Sequence, residues 1–509
     1  MKLCCLLQNV GVKGVFFNNK SVKINELNIN VLSLTQNSKT ATKNSLFFAL
    51  SGGSLNGESF VIEAINNGAT VVVAQNKIKV TKNVVLVVVK NVRIAMAKIS
   101  ALFYENAHKK LKIIGITGTN GKSSCTYIIH SVLQKLSKKN KNLKCGLIGT
   151  NAVFIGNKKL EATLTTPDPI LLHELFYKMV QAKVKICVME ISSHSIYWNK
   201  IYGLNFECIA LTNVKCDHLD FFKTKQLYKQ QKENLFYNYK SKNVVLNLND
   251  KTGKKILNNL IKNNTKQNIL TFSSKQNILF KNKLNNRQNI QTLTYKNLNK
   301  KGFETSFKIN FKNSQNLVKT NLLGEINVQN LCLCFLALQS LNLCDTKVLE
   351  CFKNLYIEGR LNIFNFNKKI NFILDYAHTF SSTKAVLKII KNINNAKNFI
   401  VIGSPGNRDE FKRKKTSKIC KKFGTVILTS DNPKYENPYK IMEEMKKGNK
   451  KAILIENREN AINYAFKLAK NTNKKANIIV LGKGIENYQD YNNNHFPYSD
   501  LTVIKNLIK

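Results

Sequence analysis

Arginine is nearly absent from a very basic chain: of 80 Lys and Arg residues only six are Arg (93, 287, 360, 408, 413 and 458), against 30 Asp and Glu. The formal charge of +50 would ordinarily direct attention to nucleic acid or an anionic membrane. A nucleic-acid footprint concentrates Lys and Arg on one face or segment, often with aromatic residues between them for stacking. Here the lysine excess runs with Asn and Ile along the whole chain. It reads as compositional drift, and no nucleic-acid partner is expected.

Two further absences narrow the class. The 12 cysteines include no pair of CxxC motifs and no spacing suited to zinc or a disulfide scaffold, which points to a reducing compartment. No run approaches the ~18 apolar residues of a membrane span, and the apolar core of "MKLCCLLQNV" is short for a signal peptide. A cytoplasmic monomer without membrane insertion is expected. No internal repeat is present.

What the chain does contain is α/β patterning. Its 509 residues exceed one core, and 43% hydrophobic residues suffice for a globular fold. Val31 to Lys90 carries β-branched runs around a helix-like "GESFVIEAINNGA" that closes on Gly68. A second pattern starts at "KLKIIGITGTNGKSS" and includes "KICVMEISS" and "ECIALTNV". Lys251 to Lys319 is Asn/Lys-rich with weak periodicity, read as strands with loose surface loops and no chemistry. After the helical "NVQNLCLCFLALQSL", the runs "INFILDYAH", "NFIVIGSPG", "TVILTSDNP" and "ANIIVLGKG" each end in a polar or Gly-rich turn. They predict a Rossmann-like sheet with a site beyond the strand ends.

In "IIGITGTNGKSS", Gly115 and Gly121 flank five residues ahead of Lys122 and Ser123, between an apparent strand and an apparent helix. Such a loop lets backbone N–H groups approach phosphate oxygens, while Lys122 adds charge and the Ser123 hydroxyl can join Mg²⁺. Glu190, ending an apolar strand in "VMEISSHS", can meet the same ion. Asp217, His218 and Asp220 in "LTNVKCDHLDFF" form a second polar cluster.

Taken together these segments resemble the Mur ligase family, ATP-dependent enzymes that build the peptide stem of peptidoglycan precursors. "GITGTNGKSS" resembles the family's phosphate loop, "TNVKCDHLD" its Asp-His-x-Asp segment and "LLGEINVQN" its segment near adenine. "EGRLNIF" and "LDYAHTF" resemble its Gly-Arg and Asp-Tyr-Ala-His segments. "LTQNSKTATKNSLFFALSGGSLNGESF", "ATLTTPDP", "EISSH" and "GKGIENYQ" are similar to segments of the members that add the third stem residue.

The resemblance implies three α/β domains: a UDP-muropeptide-binding domain at 1–107, a P-loop ATP-binding domain at 108–356 and a Rossmann-like amino-acid-binding domain at 357–509. It implies an acid–amino-acid ligase using ATP and Mg²⁺ to join meso-diaminopimelate to UDP-N-acetylmuramoyl-L-alanyl-D-glutamate through an acyl phosphate. Residues placed at ATP are Gly115, Thr117, Gly118, Thr119, Asn120, Gly121, Lys122, Ser123, Ser124, Asn327, Asn330, Arg360 and His378. Ser123, Glu190, His218 and Lys232 would serve the metal, Lys232 matching a lysine that the family carbamylates; Lys122, Glu190, His218 and Lys232 would be catalytic. Ser38, Thr165, Thr166, Ser192 and Lys200 would meet the UDP-muropeptide. Arg408, Asp431, Asn432, Pro433, Lys434, Gly482 and Glu486 would meet the amino acid.

Diaminopimelate-adding members read Asp-Asn-Pro-Arg where this chain has Asp431-Asn432-Pro433-Lys434. Lys keeps the positive charge that suits a second carboxylate but loses the planar fork. The alternatives are L-lysine as the added residue, another ligase of the superfamily (a different stem step or a folylpolyglutamate type), a decayed ligase, or a basic nucleic-acid-binding protein with a P-loop.

Overall fold

The near-continuous apolar runs "VVVA" and "VLVVV" become the strands Ala69–Ala74 and Val85–Val89, buried on both faces as inner parallel strands require. The computed structural model describes residues 1–52, 56–81, 83–215, 217, 219–274, 289–302, 304–343, 345–357, 359–391, 393, 395–407, 410–484, 486–492 and 494–508. They divide into two units, one of residues 1–296, 309–316 and 329–351, the other of 297–308, 317–328 and 352–509.

The first unit opens with a six-stranded sheet in the order Lys20–Ser21, Val12–Phe17, Val85–Val89, Ala69–Ala74, Ser45–Phe48, Ser33–Thr35. Val71, Val73, Val85 and Val87 pack under the helix Val92–Phe103, while Val72, Leu86 and Phe47 face the helix Val61–Asn66. Gly68, at φ +107°, follows that shorter helix as its glycine signal predicts.

The same unit holds the parallel core of a larger sheet. Lys112–Thr117 lies between Ile186–Ile191 and Phe206–Leu211, with Cys145–Ile148 on one side and Ser241–Asn247, Asn268–Ser273 and the first residues of Ile290–Lys301, those up to Lys296, on the other. The Asn/Lys-rich region corrects the expectation of strands and loose loops alone. Residues Lys251–Lys262 form an amphipathic helix, capped by Asp250 on the Thr252 N–H (2.8 Å) and burying Ile256, Leu257 and Leu260. Strands do follow, at 290–301, 304–311 and 314–320.

Two buried histidines sit in this unit with their rings 5.0 Å apart, and neither Nδ1 of His108 nor that of His173 has a hydrogen-bond partner among the described residues. Burial pushes His108 down to about 4 and His173 to about 3, each helped by a neighbouring positive group, Lys109 and His108 respectively. The folded chain therefore binds fewer protons than the unfolded one below pH ~6.5. This contribution is whole above that pH and fades as pH falls towards 4 and then 3. Urea unfolding at pH ~7 and ~4.5 is expected to show a loss of about 2–3 kcal/mol per histidine. His173→Phe is expected to flatten that slope, and an unaltered slope would refute the assignment.

In the second unit the order is Asn362–Phe366, Ile370–Asp375, Ala476–Leu481, Lys397–Ile402, Thr425–Leu428, Ile453–Leu454, parallel except for the first hairpin. The four runs expected to form a Rossmann-like sheet are its four central strands. Asp375, Gly403, Asp431 and Gly482 all follow or end these strands at their carboxyl side, where open α/β sheets place their ligands.

Candidate active site

The strand Lys112–Thr117 delivers the chain into a tight loop, and the helix Lys122–Ser137 leaves it. Gly118 (φ +144°) and Gly121 (φ +90°) occupy conformations that side chains rarely adopt. A Cβ on Gly118 would overlap Thr212 Oγ1, and one on Gly121 would lie 2.7 Å from Asn330 Oδ1. The neighbouring strand end holds the loop open: Thr119 N donates to Asn213 O (2.7 Å), while Thr212 Oγ1 and Asn213 Nδ2 donate to Asn120 O (2.6 and 3.0 Å). Gly115 lies inside the strand, where a Cβ would strike Ile191 and Phe206. Its small size serves sheet packing, and the loop proper begins at Gly118.

Two amines converge on this loop. Lys122 Nζ donates to Gly118 O (3.0 Å) and Thr119 O (3.2 Å), and Lys232 Nζ donates to the same Gly118 O (2.9 Å). Lys232 projects from the helix Lys225–Asn238 and is 1% exposed. Burial, and secondarily the Lys122 charge, hold its amine well below the ordinary 10.5, with Asp217 opposing. Tyr228, one turn earlier, anchors that helix to the loop through its hydroxyl and Thr119 Oγ1 (3.1 Å).

Glu190 is the hinge of the polar network. It is 1% exposed, and its carboxylate accepts from Ser123 Oγ (3.0 Å), Thr150 N (2.8 Å) and Thr150 Oγ1 (3.2 Å). Thr150 Oγ1 also meets Thr165 Oγ1 (3.1 Å), Thr166 Oγ1 donates to Glu190 O (2.9 Å), and Ser192 N donates to Thr166 Oγ1 (3.1 Å). Lys200 is paired with Asp168 (2.9 Å).

In the second unit, Asp431 and Asn432 follow the strand Thr425–Leu428, and burial raises Asp431 against the pull of Arg458 and Lys483. Lys434 turns left-handed (φ +55°), fixed by its N–H to Asp490 O (2.9 Å) and by Asn492 N to its carbonyl (2.8 Å). Arg458 braces the two loops from below, donating to Ser430 O (3.4 Å) and Leu481 O (2.9 Å) while pairing with Asp500 at 2.8 Å. Arg413 joins Glu436 and Glu444 (2.8 Å each), and Glu436 also takes the Asn407 N–H. Arg360 stacks on Tyr376 (5.4 Å), and His378 Nδ1 lies 3.0 Å from Tyr376 O.

Comparison with known proteins agrees with this geometry. Residues 116–338 match the profile of the Mur ligase middle domain, and residues 359–484 that of the Mur ligase glutamate ligase domain. UDP-N-acetylmuramoyl-L-alanyl-D-glutamate–2,6-diaminopimelate ligase 1 of Clostridium acetobutylicum is 35% identical over 496 residues, covering 95% of this chain and 96% of that one. The chain belongs to the Mur ligase family. The corresponding ligase of Clostridium tetani is 34% identical, covering 96% of this chain and 98% of its own. A solved structure titled as a UDP-N-acetylmuramoyl-L-alanyl-D-glutamate–2,6-diaminopimelate ligase has the same fold, with a TM-score of 0.66 at 24% identity and 96% of each chain covered.

Within this Mur ligase, residues 117–124, Thr165, Thr166, Glu190, Ser192 and Lys232 come together around one loop, with Asn330 beside Gly121. Ser38 is buried and donates to Glu63 Oε2 (2.5 Å), so its hydroxyl braces its own loop. Asn327 donates to Leu323 O (2.8 Å) in the second unit, where Arg360, His378 and the residues 431–434, Gly482 and Glu486 also lie. His218 and Arg408 fall outside the described residues. Thr150, Asn213 and Lys483 were not foreseen. The only local sign of them was a polar residue directly after an apolar run, or a lysine between two glycines.

Proposed function

We propose that this chain joins meso-diaminopimelate to the D-glutamyl carboxylate of UDP-N-acetylmuramoyl-L-alanyl-D-glutamate with hydrolysis of ATP to ADP and phosphate. The observation that carries the reading is the position of Glu190. Its buried carboxylate ties the phosphate-loop Ser123 to Thr150, which in turn meets Thr165, while its backbone carbonyl accepts from Thr166, so the phosphate loop and the Thr165-Thr166 segment meet at one residue.

Lys122 releases the loop carbonyls and moves onto the terminal phosphates of ATP. The glutamyl carboxylate attacks the γ-phosphorus and forms an acyl phosphate, with ADP leaving. The amine of the incoming residue attacks the acyl carbon, a proton is lost, and phosphate departs from the tetrahedral intermediate. Glu190 and the Ser123 hydroxyl are hard oxygen donors fit for Mg²⁺, which would neutralise phosphate charge when bound. Lys232, its neutral amine favoured by burial, adds CO₂ through a new N–C bond with loss of a proton, replacing an ammonium by a carbamate anion. Asp431, Asn432 and Lys434 hold the incoming residue, and Lys434 answers its second carboxylate. The reading includes a division near residues 107 and 356 and a monomer acting in the cytoplasm; no helix among the described residues is long and apolar enough to cross a membrane.

Phosphate release by the purified protein, with product mass as a second readout, tests this. A tripeptide product with meso-diaminopimelate and at least ~10-fold less with L-lysine is expected. Preference for L-lysine would overturn the role of Lys434, and no product with either would overturn the reaction.

A further inference from the structure

Lys483 lies between two glycines in left-handed conformations, Gly482 (φ +115°) and Gly484 (φ +58°). A Cβ on Gly482 would lie 2.6 Å from Asp431 Oδ2, and one on Gly484 would strike the Tyr376 ring. The double turn tucks the lysine side chain under the loop, where it is 0% exposed. Its ammonium donates to Asn432 Oδ1 (2.8 Å) and Glu486 Oε2 (2.9 Å). Asn432 closes the triangle, its Nδ2 donating to the same Glu486 oxygen (2.9 Å).

This leaves Glu486 asymmetrically held. Oε2 takes both donors, while no hydrogen bond among the described residues reaches Oε1, and the side chain is 29% exposed. Lys483 is the ion-pair partner of Glu486, whereas the buried Asp431 carboxylate, which also faces Arg458, Lys483 and His378, repels Glu486.

We propose that Lys483 is a positioning residue for the incoming amino acid: its buried ammonium aims Glu486 so that the second carboxylate oxygen receives the substrate's distal ammonium. The inference rests on the reaction proposed above. Removing Lys483 leaves Glu486 held by one amide and repelled by Asp431, so the carboxylate swings to solvent and its orientation is lost. Lys483 itself touches no reacting atom.

The test is a double-substitution cycle in the full-length protein. K483M and E486Q are each expected to raise KM for meso-diaminopimelate by about 10–100-fold, with kcat and KM for ATP changed less than about threefold. The double variant is expected to match E486Q alone, because Lys483 works through Glu486. K483R should recover part of the loss. Trapping of the acyl phosphate by hydroxylamine, which needs no amino acid, should stay at the wild-type level. Additive effects, or an unmoved KM, overturn the positioning role while wild-type tripeptide synthesis leaves the proposed reaction standing. If K483M does not fold, the cycle with K483Q, which likewise removes the charge, decides the matter on the same criterion. A wild-type protein that makes no tripeptide overturns the reaction itself, and this inference with it.

Discussion

Lys232→Met is expected to lower kcat by about 10³-fold while leaving the protein at least as stable as before. The two effects have opposite signs because they come from different states of one amine. As a free base or ammonium, Lys232 is buried beside Lys122 and its charge is disfavoured. The folded chain then binds fewer protons than the unfolded one from the depressed value up to the ordinary 10.5. Stability of CO₂-free wild type should therefore climb with pH through that window, and the Met variant should lack the climb. In the proposed carbamate form, the same side chain would carry a negative charge that helps to hold Mg²⁺ beside the phosphates. Depleting CO₂ should slow the wild type, and adding bicarbonate should restore it. A wild-type rate indifferent to CO₂, or a Met variant retaining a third of the activity, would exclude the carbamate.

Glu190→Gln should cost about 10²–10³-fold in kcat and raise the Mg²⁺ concentration needed for half-maximal rate. The substitution is nearly isosteric, but it places an N–H₂ where an oxygen now accepts from Thr150 or Ser123. One donor would be left facing a donor, at a stability cost of about 1–3 kcal/mol. The effect to watch is the Mg²⁺ titration at saturating ATP, measured beside thermal unfolding. A rate loss with no change in Mg²⁺ dependence would mean that Glu190 only braces the loop.

The legible parts of this protein were those whose chemistry is contiguous in the chain. The phosphate loop could be read because its glycines, Lys122 and Ser123 are neighbours, and the conformations they need are local. The central strands of the second unit could be read because parallel strands covered on both faces are apolar throughout. The helix Lys251–Lys262 was hidden by its composition. Its stripe of Ile256, Leu257 and Leu260 is short, and Asn and Lys on every other face suggested coil. The phosphate-loop assignment also swept in Gly115, which by position could be loop or strand and proves to be packed against Ile191 and Phe206.

From residue types alone, the sequence determined that this is an α/β chain with a phosphate loop, a Mur ligase by its motifs, and one whose basic charge is spread through composition. The motifs pointed to Lys122, Lys232 and Lys434, but residue types could not say which of so many lysines are buried or what they meet. Lys232 differs from its neighbours on the same helix because the fold buries it against Gly118 O, and Lys483 because two left-handed glycines turn it inward onto Asn432 and Glu486. Nor could it say that Ser38 faces Glu63 or that Glu190 gathers Ser123 and Thr150. Burial and partnership are relations between distant segments, and a side chain's proton affinity and orientation follow from those relations more than from its identity. The tertiary structure therefore decided which of many equivalent residues carry charge, which lose it, and where they point.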